Sequence, residues 1–409
     1  MQLNKQTFCA APWFSMRNEN SGQYRVCCFH KGNLTKFAGK SEFDSNDSME
    51  SWLNSEYMQY LRQQLDQGHR VPECRKCWDQ EAVGLTSLRE HTNDMISNRL
   101  ERTLDQTWVP LYFKNKNDYR VDLLIAADVK INNLCNFSCA MCNAAESSII
   151  YNKWHKQQDN EFVLEYIQSK PDYFPQIKDA YMVKNGMQML EEVLAQPIKY
   201  LKILGGEPLL NSKLIDRLTK IPDQHKSQLN LTFITNGSVD LVNISRQLIG
   251  FKSVYYVVSL EATGSLQDYV RRGSDWTLIE QNIDNFLLYT KTALDNFVVE
   301  CHSTIQALSI SGYADLKKWC QIRGIRSAIF VLEDPVYLSL SVLPEQMRLD
   351  TIAEIERLDL DNTVAALLLI LKETVYNTDS AEKFIRFIKW YDPGLELLDI
   401  DSRWQGSFG

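Results

Sequence analysis

Cys135-Asn-Phe-Ser-Cys139-Ala-Met-Cys142 is the stretch of this 409-residue chain that decides which fold and chemistry to expect. It holds three cysteines in a C-x3-C-x2-C pattern with no fourth cysteine close by, and the nearest histidine is His155, in a polar helical stretch. Zinc usually takes four ligands in two pairs, which this run does not offer. Three thiolates suit a 4Fe–4S cluster instead, because one thiolate per iron leaves one iron open to an exogenous ligand. An open iron is a catalytic feature.

A strand-like run precedes the cysteines, and a second one leads into a pair of glycines. Residues 121–131 read as a strand, so the cysteines are expected on a loop just beyond its carboxyl end, where α/β barrels place their chemistry. Residues 198–204 alternate as a second strand and run directly into Gly205-Gly206-Glu207-Pro208. The two glycines let the backbone approach a ligand closely, and Glu207 places a carboxylate at the same rim.

Together and in this order, the two motifs resemble those of radical S-adenosylmethionine (SAM) enzymes. The resemblance implies that the three cysteines hold a 4Fe–4S cluster and that SAM chelates the open iron. It also implies that the backbone of Gly205 and Gly206 and the carboxylate of Glu207 bind the SAM ammonium. With electrons from a reductant such as flavodoxin or ferredoxin, cleavage of SAM would give methionine and a 5'-deoxyadenosyl radical that abstracts hydrogen from substrate. The cofactor supplies the difficult step, and the protein supplies position and dryness.

The resemblance extends to the fold, because strand-like and helical runs alternate beyond the two motifs as βα units require. Four more strand-like runs follow, at 229–234, 253–259, 297–306 and 325–332. The family likeness predicts an α/β fold with a partial (β/α)6 TIM-like barrel, open enough for a large substrate. The predicted domains are an N-terminal module at 1–104, the barrel at 105–340 and a helical C-terminal extension at 341–409, whose stretches 345–358 and 380–390 look amphipathic.

The connection at 144–196 is long for a single βα loop, and it carries Tyr151, Trp154, Tyr173 and Phe174 among charged residues. One interpretation is a lid that covers the substrate. The other is an elaborated helical layer that packs its aromatic side chains inside. Both stay open at this point.

Two residues of the fourth strand region match further positions of the family. A serine near the end of that strand and an arginine about a dozen residues on contact the SAM ribose and carboxylate in relatives, and Ser259 and Arg271 fit those places. Arg272 is the competitor of Arg271 for this role. The chain departs from the family by having Met141 where an aromatic residue is frequent, and Glu261-Ala262 where Asp-Gly is frequent.

A second set of cysteines lies in the N-terminal fifth of the chain: Cys9, Cys27, Cys28, Cys74 and Cys77. Their C-x12-G-x4-C pattern with a distant C-x2-C resembles the twitch or SPASM domains of radical SAM enzymes, where the G-x4-C lies on a β-hairpin. This module precedes the barrel, as in a smaller N-terminal-twitch group. Adjacent residues on an extended strand face opposite sides, so Cys27 and Cys28 do not both bind the same cluster, and Cys27 has the better spacing.

Four of these residues, Cys9, Cys27, Cys74 and Cys77, are therefore predicted to hold a second, auxiliary 4Fe–4S cluster of the single-cluster twitch type. Such a cluster would accept or relay electrons in an oxidation. The alternative is a structural zinc on the same four thiolates, which the C-x2-C would suit.

Composition excludes several broad classes of function. Hydrophobic residues at 44% and charged residues at 23% are ordinary for a globular chain, and the net charge of -8 argues against a nucleic-acid surface or a polybasic membrane patch. The longest apolar run, 364–371, is far shorter than the ~18 residues of a spanning helix. Ten cysteines without a secretory signal favour metal ligands and buried thiols over disulfides, so we expect a cytoplasmic protein.

Three functions follow from these patterns. The first is a radical SAM enzyme that uses its auxiliary cluster to oxidise or cross-link a peptide or protein side chain. The second, in the same class, modifies a small molecule such as a sugar, cyclitol or nucleotide, for instance by dehydrogenation. The third is a non-catalytic iron–sulfur electron carrier or zinc-binding module, which would have no reason to leave an iron open beside Glu207. The sequence does not name the substrate.

Overall fold

The computed structural model describes eight parts of the chain: 6–19, 23–30, 48–82, 84–96, 117–169, 186–293, 296–394 and residue 404. The chain divides into two compact units. The first unit consists of Met1–Asn132, Met182–Leu204 and Gln228–Asn230, and the second of Asn133–Tyr181, Gly205–Ser227 and Leu231–Gly409. This division differs from the three predicted domains, which stay a prediction.

The first unit combines short helices with four strands. Its helices are α1 (Ala11–Phe14), α2 (Met49–Leu53), α3 (Glu56–Asp66), α4 (Arg75–Ala82), α5 (Leu88–Asp94) and α8 (Gly186–Leu194). Its strands are β1 (Ser15–Asn18), β2 (Tyr24–Arg25), β3 (Ala126–Lys130) and β4 (Tyr200–Leu204), adjacent in the order β2-β1-β3-β4.

Strand β1 gives the first unit its topology, because it pairs on both sides. It is antiparallel to β2, with Arg17 opposite Arg25, and parallel to β3, with Arg17 opposite Asp128. Strand β3 in turn runs parallel to β4, with Asp128 opposite Lys202. Strands β1 and β2 are thus antiparallel neighbours, while the hairpin expected of the cysteine module stays a prediction because its glycine, Gly22, lies outside the described residues.

The second unit holds four strands and most of the helices. The strands are β5 (Asn230–Thr235, of which Asn230 belongs to the first unit), β6 (Ser253–Ser259), β7 (Phe297–Ile305) and β8 (Arg326–Val331), in the order β5-β6-β7-β8. The helices are α6 (Ser148–Lys156), α7 (Glu161–Ser169), α9 (Ser212–Thr219), α10 (Asp223–Lys226), α11 (Leu241–Gln247), α12 (Gly264–Val270), α13 (Trp276–Ala293), α14 (Tyr313–Arg323), α15 (Glu345–Ile355), α16 (Asn362–Glu373) and α17 (Thr378–Tyr391).

Period-two burial explains why these runs form strands. Buried and partly exposed residues alternate along β5 and along all nine residues of β7, as expected of a strand whose two faces differ in environment. Strand β7 runs parallel to β6 and to β8, with Ser259 opposite His302 and His302 opposite Ala328. The strand pairings named above are parallel except for the β1–β2 hairpin, so the α/β class with mostly parallel strands is confirmed. The barrel shape stays a prediction.

The C-terminal extension is helical where the sequence predicts it. Helices α15 and α17 match the two amphipathic stretches, while α16 coincides with the apolar run at 364–371, which the sequence analysis did not assign to an element. Trp154 of α6 is buried and lies 5.6 Å from Trp390 of α17, ring centroid to centroid. This packing favours the helical-layer interpretation for Trp154, whereas Tyr173 and Phe174 lie outside the described residues. Within the described ranges, no helix is both long and apolar enough to cross a membrane.

Candidate active site

The three-cysteine loop packs directly on the glycine pair, and both belong to the second unit. The backbone N–H of Glu207 donates a hydrogen bond of 2.8 Å to the carbonyl of Leu134, the residue before the first cysteine. Gly205 and Gly206 have φ angles of 97° and 53°, in the left-handed region that favours glycine. A β-carbon on Gly206 would overlap the carbonyl oxygen of Leu134. The glycines therefore allow two backbones to meet, as the sequence predicts for a close approach.

The cysteine loop is also held from the opposite side by the segment after α12. The N–H groups of Ser138 and Ala140 each donate a 2.8 Å hydrogen bond, to the carbonyls of Arg272 and Val270 respectively. The hydroxyl of Tyr391, at the end of α17, lies 3.2 Å from the carbonyl oxygen of Ser138. Backbone contacts thus fix the positions from which the cysteine side chains project.

Hydrogen-bond donors reach two of the three sulfurs, although burial raises the pKa of all three thiols. Phe137 donates its N–H to Cys135 Sγ at 3.4 Å, and Arg271 donates Nη1–H to Cys139 Sγ at 3.7 Å. Burial raises the pKa of the Cys139 thiol to about 11, and the nearby guanidinium of Arg271 opposes that rise. Buried thiols of this kind lose their protons when a metal replaces them. The donor set fits a cluster with three thiolate ligands.

No ready-made metal site accompanies this donor set. Among the residues that the structure describes, no group of three or more His, Cys, Asp or Glu side chains is arranged to hold a metal ion. The cluster on Cys135, Cys139 and Cys142 therefore stays a prediction, as does the second cluster.

Glu207 is almost fully buried, and its carboxylate is fixed by the end of β5. Thr235 Oγ1 and the Leu209 N–H donate to Oε1 at 2.9 and 3.1 Å, and the Asn236 N–H donates to Oε2 at 2.6 Å. Burial raises the pKa of Glu207 to about 7, against the lowering effect of these hydrogen bonds. A carboxylate offers about four acceptor positions, so Oε2 retains one for a further donor.

Thr235 and Asn236 also belong to the candidate site, although the sequence patterns above did not single them out. Besides holding Glu207, Asn236 donates Nδ2–H to Asn136 Oδ1 at 2.8 Å, inside the cysteine motif. The available signal was a polar pair placed where an alternating strand ends.

The two candidate arginines have different partners. Arg271 forms a two-pronged ion pair with Glu261 through Nε and Nη2, with 2.8 Å for the Nη2 contact, and it also reaches Cys139. Arg272 instead donates to the Tyr391 carbonyl at 2.7 Å and to Asp392 at 2.6 Å. Of the two, the structure thus places Arg271 beside the cysteines. Ser259 lies half-buried at the carboxyl end of β6.

The N-terminal cysteines come together inside the first unit. Cys9, Cys27, Cys74 and Cys77 all line one cavity that contains about 420 Å³ of space outside the protein atoms, including open solvent. His30 and Arg89 line the same cavity. Cys28 is exposed and is not among the lining residues. The residue chosen on spacing, Cys27, is therefore the one that the structure groups with the other three.

Backbone N–H groups approach three of these four sulfurs. Burial raises the pKa of Cys9, Cys27 and Cys77, and N–H donors oppose it, from Ala11 to Cys9, from Phe29 and His30 to Cys27, and from Arg89 to Cys77. Hydrogen bonds to sulfur of this kind are a means by which proteins tune iron–sulfur clusters. The four thiols fit a cluster or a zinc ion equally by ligand type.

The chain matches no family model and no curated protein. It is similar to two solved structures of SuiB from Streptococcus suis. In the structure of SuiB bound to S-adenosylmethionine, the identity is 13%, the match covers 72% of this chain and 62% of that chain, and the TM-score is 0.35. In a second SuiB structure, the identity is 13%, the coverage is 98% and 77%, and the TM-score is 0.34. The chain thus spans less than two thirds of the first of these chains.

Proposed function

We propose that this chain is a radical SAM enzyme that reductively cleaves S-adenosylmethionine. The observation that carries the proposal is the contact between the two motifs, in which the N–H of Glu207 binds the carbonyl of Leu134 at the start of the three-cysteine run. Residues about 70 positions apart in the sequence are thereby brought to one place at strand ends, where the ligand sites of α/β folds lie. A carrier or structural module would have no use for a buried carboxylate beside three thiols.

Each candidate site residue of the second unit then has a proposed task. Cys135, Cys139 and Cys142 hold a 4Fe–4S cluster, which supplies the electron for SAM cleavage when it is bound. The backbone at Gly205 and Gly206 would allow the ligand to approach closely, and Ser259 would contact the SAM ribose.

Glu207 binds the SAM ammonium through the acceptor position left on Oε2. Its pKa of about 7 lies close to neutral pH, and a cationic partner within a few ångströms favours the ionised form. The three hydrogen bonds from Thr235, Asn236 and Leu209 hold the carboxylate in place before the ligand arrives. Binding therefore requires little reorganisation of this side chain.

The proposed reaction is the oxidative modification or cross-linking of a peptide or protein side chain. Cys9, Cys27, Cys74 and Cys77 would hold an auxiliary 4Fe–4S cluster able to take up the electron released in the oxidation, and a reductant such as flavodoxin or ferredoxin would supply the electron for SAM cleavage. The grouping of all four thiols around one cavity supports the auxiliary site. The proposed location is the cytoplasm, where an oxygen-sensitive cluster and its reductant would meet.

The test is anaerobic reconstitution followed by iron analysis and measurement of 5'-deoxyadenosine. We expect about eight irons per chain, four for each cluster, and release of 5'-deoxyadenosine with reductant. Cys139→Ala should abolish this release, while Cys320→Ala, which removes a buried thiol of α14 outside both sets, should retain it. SAM cleavage by Cys139→Ala would show that the site is misassigned.

The auxiliary site has its own variant. Cys74→Ala should lower the iron content to about four while leaving some SAM cleavage, because the first cluster keeps all its ligands. If the wild-type chain binds about four irons and one zinc, the N-terminal thiols hold a structural zinc ion and not an auxiliary cluster.

A further inference from the structure

We propose that Glu261 and Arg271 form a positioning pair that raises the reduction potential of the cluster held by Cys139. The inference rests on the proposed function, since it requires a cluster on the three cysteines. The inference goes beyond the proposed function because it assigns to the pair a task that is independent of SAM. In this assignment Arg271 is a positioning residue that acts through the sulfur of Cys139.

The geometry of the pair leaves Arg271 little freedom to move. Nε and Nη2 both bind the carboxylate of Glu261, so the planar guanidinium is oriented by two parallel hydrogen bonds. Its third contact, from Nη1 to Cys139 Sγ, spans 3.7 Å. Three of the five N–H groups of an arginine are thereby used, and one of the three points at a cluster ligand.

Glu261 is in turn held by the strand beside it. Its side chain has no exposed surface, and its Oε1 accepts the N–H of Thr304, on β7, at 3.2 Å. The backbone N–H of Glu261 is bound by the side chain of Gln267 at 2.9 Å. The carboxylate is therefore anchored to β7 while it binds the guanidinium that reaches Cys139.

The direction of the effect follows from charge. A cluster gains one negative charge on reduction, and a cation or N–H donor at a ligand sulfur stabilises that form more than the oxidised one. The surroundings are buried, so the interaction is screened less than at the surface. Because the positive member of the pair is the one near Cys139, the pair favours the reduced cluster.

Arg272 provides a matched control because it carries the same charge one residue further along. Its side chain binds the Tyr391 carbonyl and Asp392, and its guanidinium lies 4.3 Å from the centroid of the Tyr391 ring. Neither contact involves a cysteine side chain. Neutralising Arg272 changes the net charge of the chain as much as neutralising Arg271, without removing a hydrogen bond to sulfur.

The experiment is a redox titration of the reconstituted full chain in the absence of SAM, followed by electron paramagnetic resonance. The signal of the first cluster is the one missing from Cys139→Ala. We expect Arg271→Gln to reduce the equilibrium constant for one-electron reduction about tenfold, which moves the midpoint about 59 mV in the negative direction. Arg272→Gln should have the same midpoint potential as the wild type.

A second variant covers the case in which Arg271→Gln leaves Glu261 as a buried, unpaired charge and the chain does not assemble. The double variant Glu261→Gln/Arg271→Gln removes both charges together and keeps two amides that can bind each other. Its midpoint should also be more negative than that of the wild type. If neither assembles, Arg271→Lys keeps the charge without the planar fork, and its midpoint should lie below that of the wild type.

The outcomes separate the two proposals. A wild-type chain without iron at the three cysteines, or without SAM cleavage, refutes the proposed function. A wild-type chain that cleaves SAM, together with an Arg271→Gln midpoint equal to its own, refutes the positioning pair alone. If Arg271→Gln has an unchanged midpoint but binds SAM more weakly, Arg271 binds the SAM carboxylate and does not tune the cluster.

Discussion

The two sets of cysteines differ in how the chain surrounds their sulfurs. The set in the second unit comes from eight consecutive residues and receives an N–H from a charged side chain, Arg271. The set in the first unit comes from distant parts of the sequence and lines one cavity, where backbone N–H groups approach three of the sulfurs and Arg89 lies beside them. Three ligands would leave one iron of a cluster open for reaction, whereas four ligands would suit a cluster that only transfers electrons.

Gly206→Ala should have the largest effect, and it should affect the cysteine set of the second unit only. The added methyl group overlaps the Leu134 carbonyl and requires a left-handed alanine, so we expect the second unit to lose about 4 kcal/mol of stability. The first cluster should not assemble, and the iron content should fall to about four per chain, all of it in the first unit. Iron analysis and denaturant unfolding measure both effects.

Gly324→Ala is the control for this variant. Gly324 also has a positive φ, of 67°, but an added methyl group would meet no atom within 4 Å. Only the conformational cost of about 1–2 kcal/mol should remain, with eight irons retained. Equal iron loss in both glycine variants would mean that contact with Leu134 is not what the cysteine loop needs.

The next largest effect should be a pH dependence of stability that arises from Glu207, in the second unit. Burial raises the pKa of Glu207 from 4.5 to about 7, so between these values the folded chain binds a proton that the unfolded chain has lost. The free energy of unfolding of the apoprotein should therefore fall as pH rises from 4.5 to 7, by up to about 3 kcal/mol from this group. The difference in unfolding free energy between wild type and Glu207→Gln, measured across this range, isolates the effect. A difference that does not vary with pH contradicts the raised pKa.

Tyr391→Phe should have a smaller effect, restricted to the three-cysteine loop. The hydroxyl lies within hydrogen-bond distance of the carbonyls of Ser138 and Tyr269, and its loss should cost about 1 kcal/mol. Iron should be released faster from the first cluster by a chelator, with no change at the auxiliary site. The control is Tyr376→Phe, because Tyr376 is exposed. Faster release from both clusters would argue against a local role.

Cys28→Ser should have the smallest effect. Cys28 is exposed and does not line the cavity of the other N-terminal cysteines, so stability should stay within about 0.5 kcal/mol. The iron content should also stay unchanged, whereas Cys27→Ser should lower it. If Cys28→Ser loses iron, Cys28 and not Cys27 is the cluster ligand.

The sequence predicts those parts of the molecule in which local pattern and tertiary structure agree. All six predicted strands of the barrel region occur, and in β5 and β7 the burial alternates as in a half-buried strand. The contact between the two motifs follows from the rule that ligand-binding loops lie at the carboxyl ends of parallel strands. The helices α15 and α17 also follow from periodicity.

The remaining features depend on partners that are distant in the sequence. Glu261 is noticed only as a departure from the family, and its pairing with Arg271 needs the geometry of α12. Tyr391 contacts a carbonyl 253 residues away. Strand β1 has only four residues, too few for an alternation to be recognised, and its place beside β3 is set by tertiary pairing.

That pairing makes the N-terminal module hard to remove as a cassette. Excising residues 1–104 would strip β1 from β3 and leave its N–H and C=O groups unpaired, as a template for other chains. It would also take away Glu19, an acidic partner of Lys130, whose side chain is 2% exposed. A shortened version of this protein would therefore aggregate unless both the strand and its acid were supplied again.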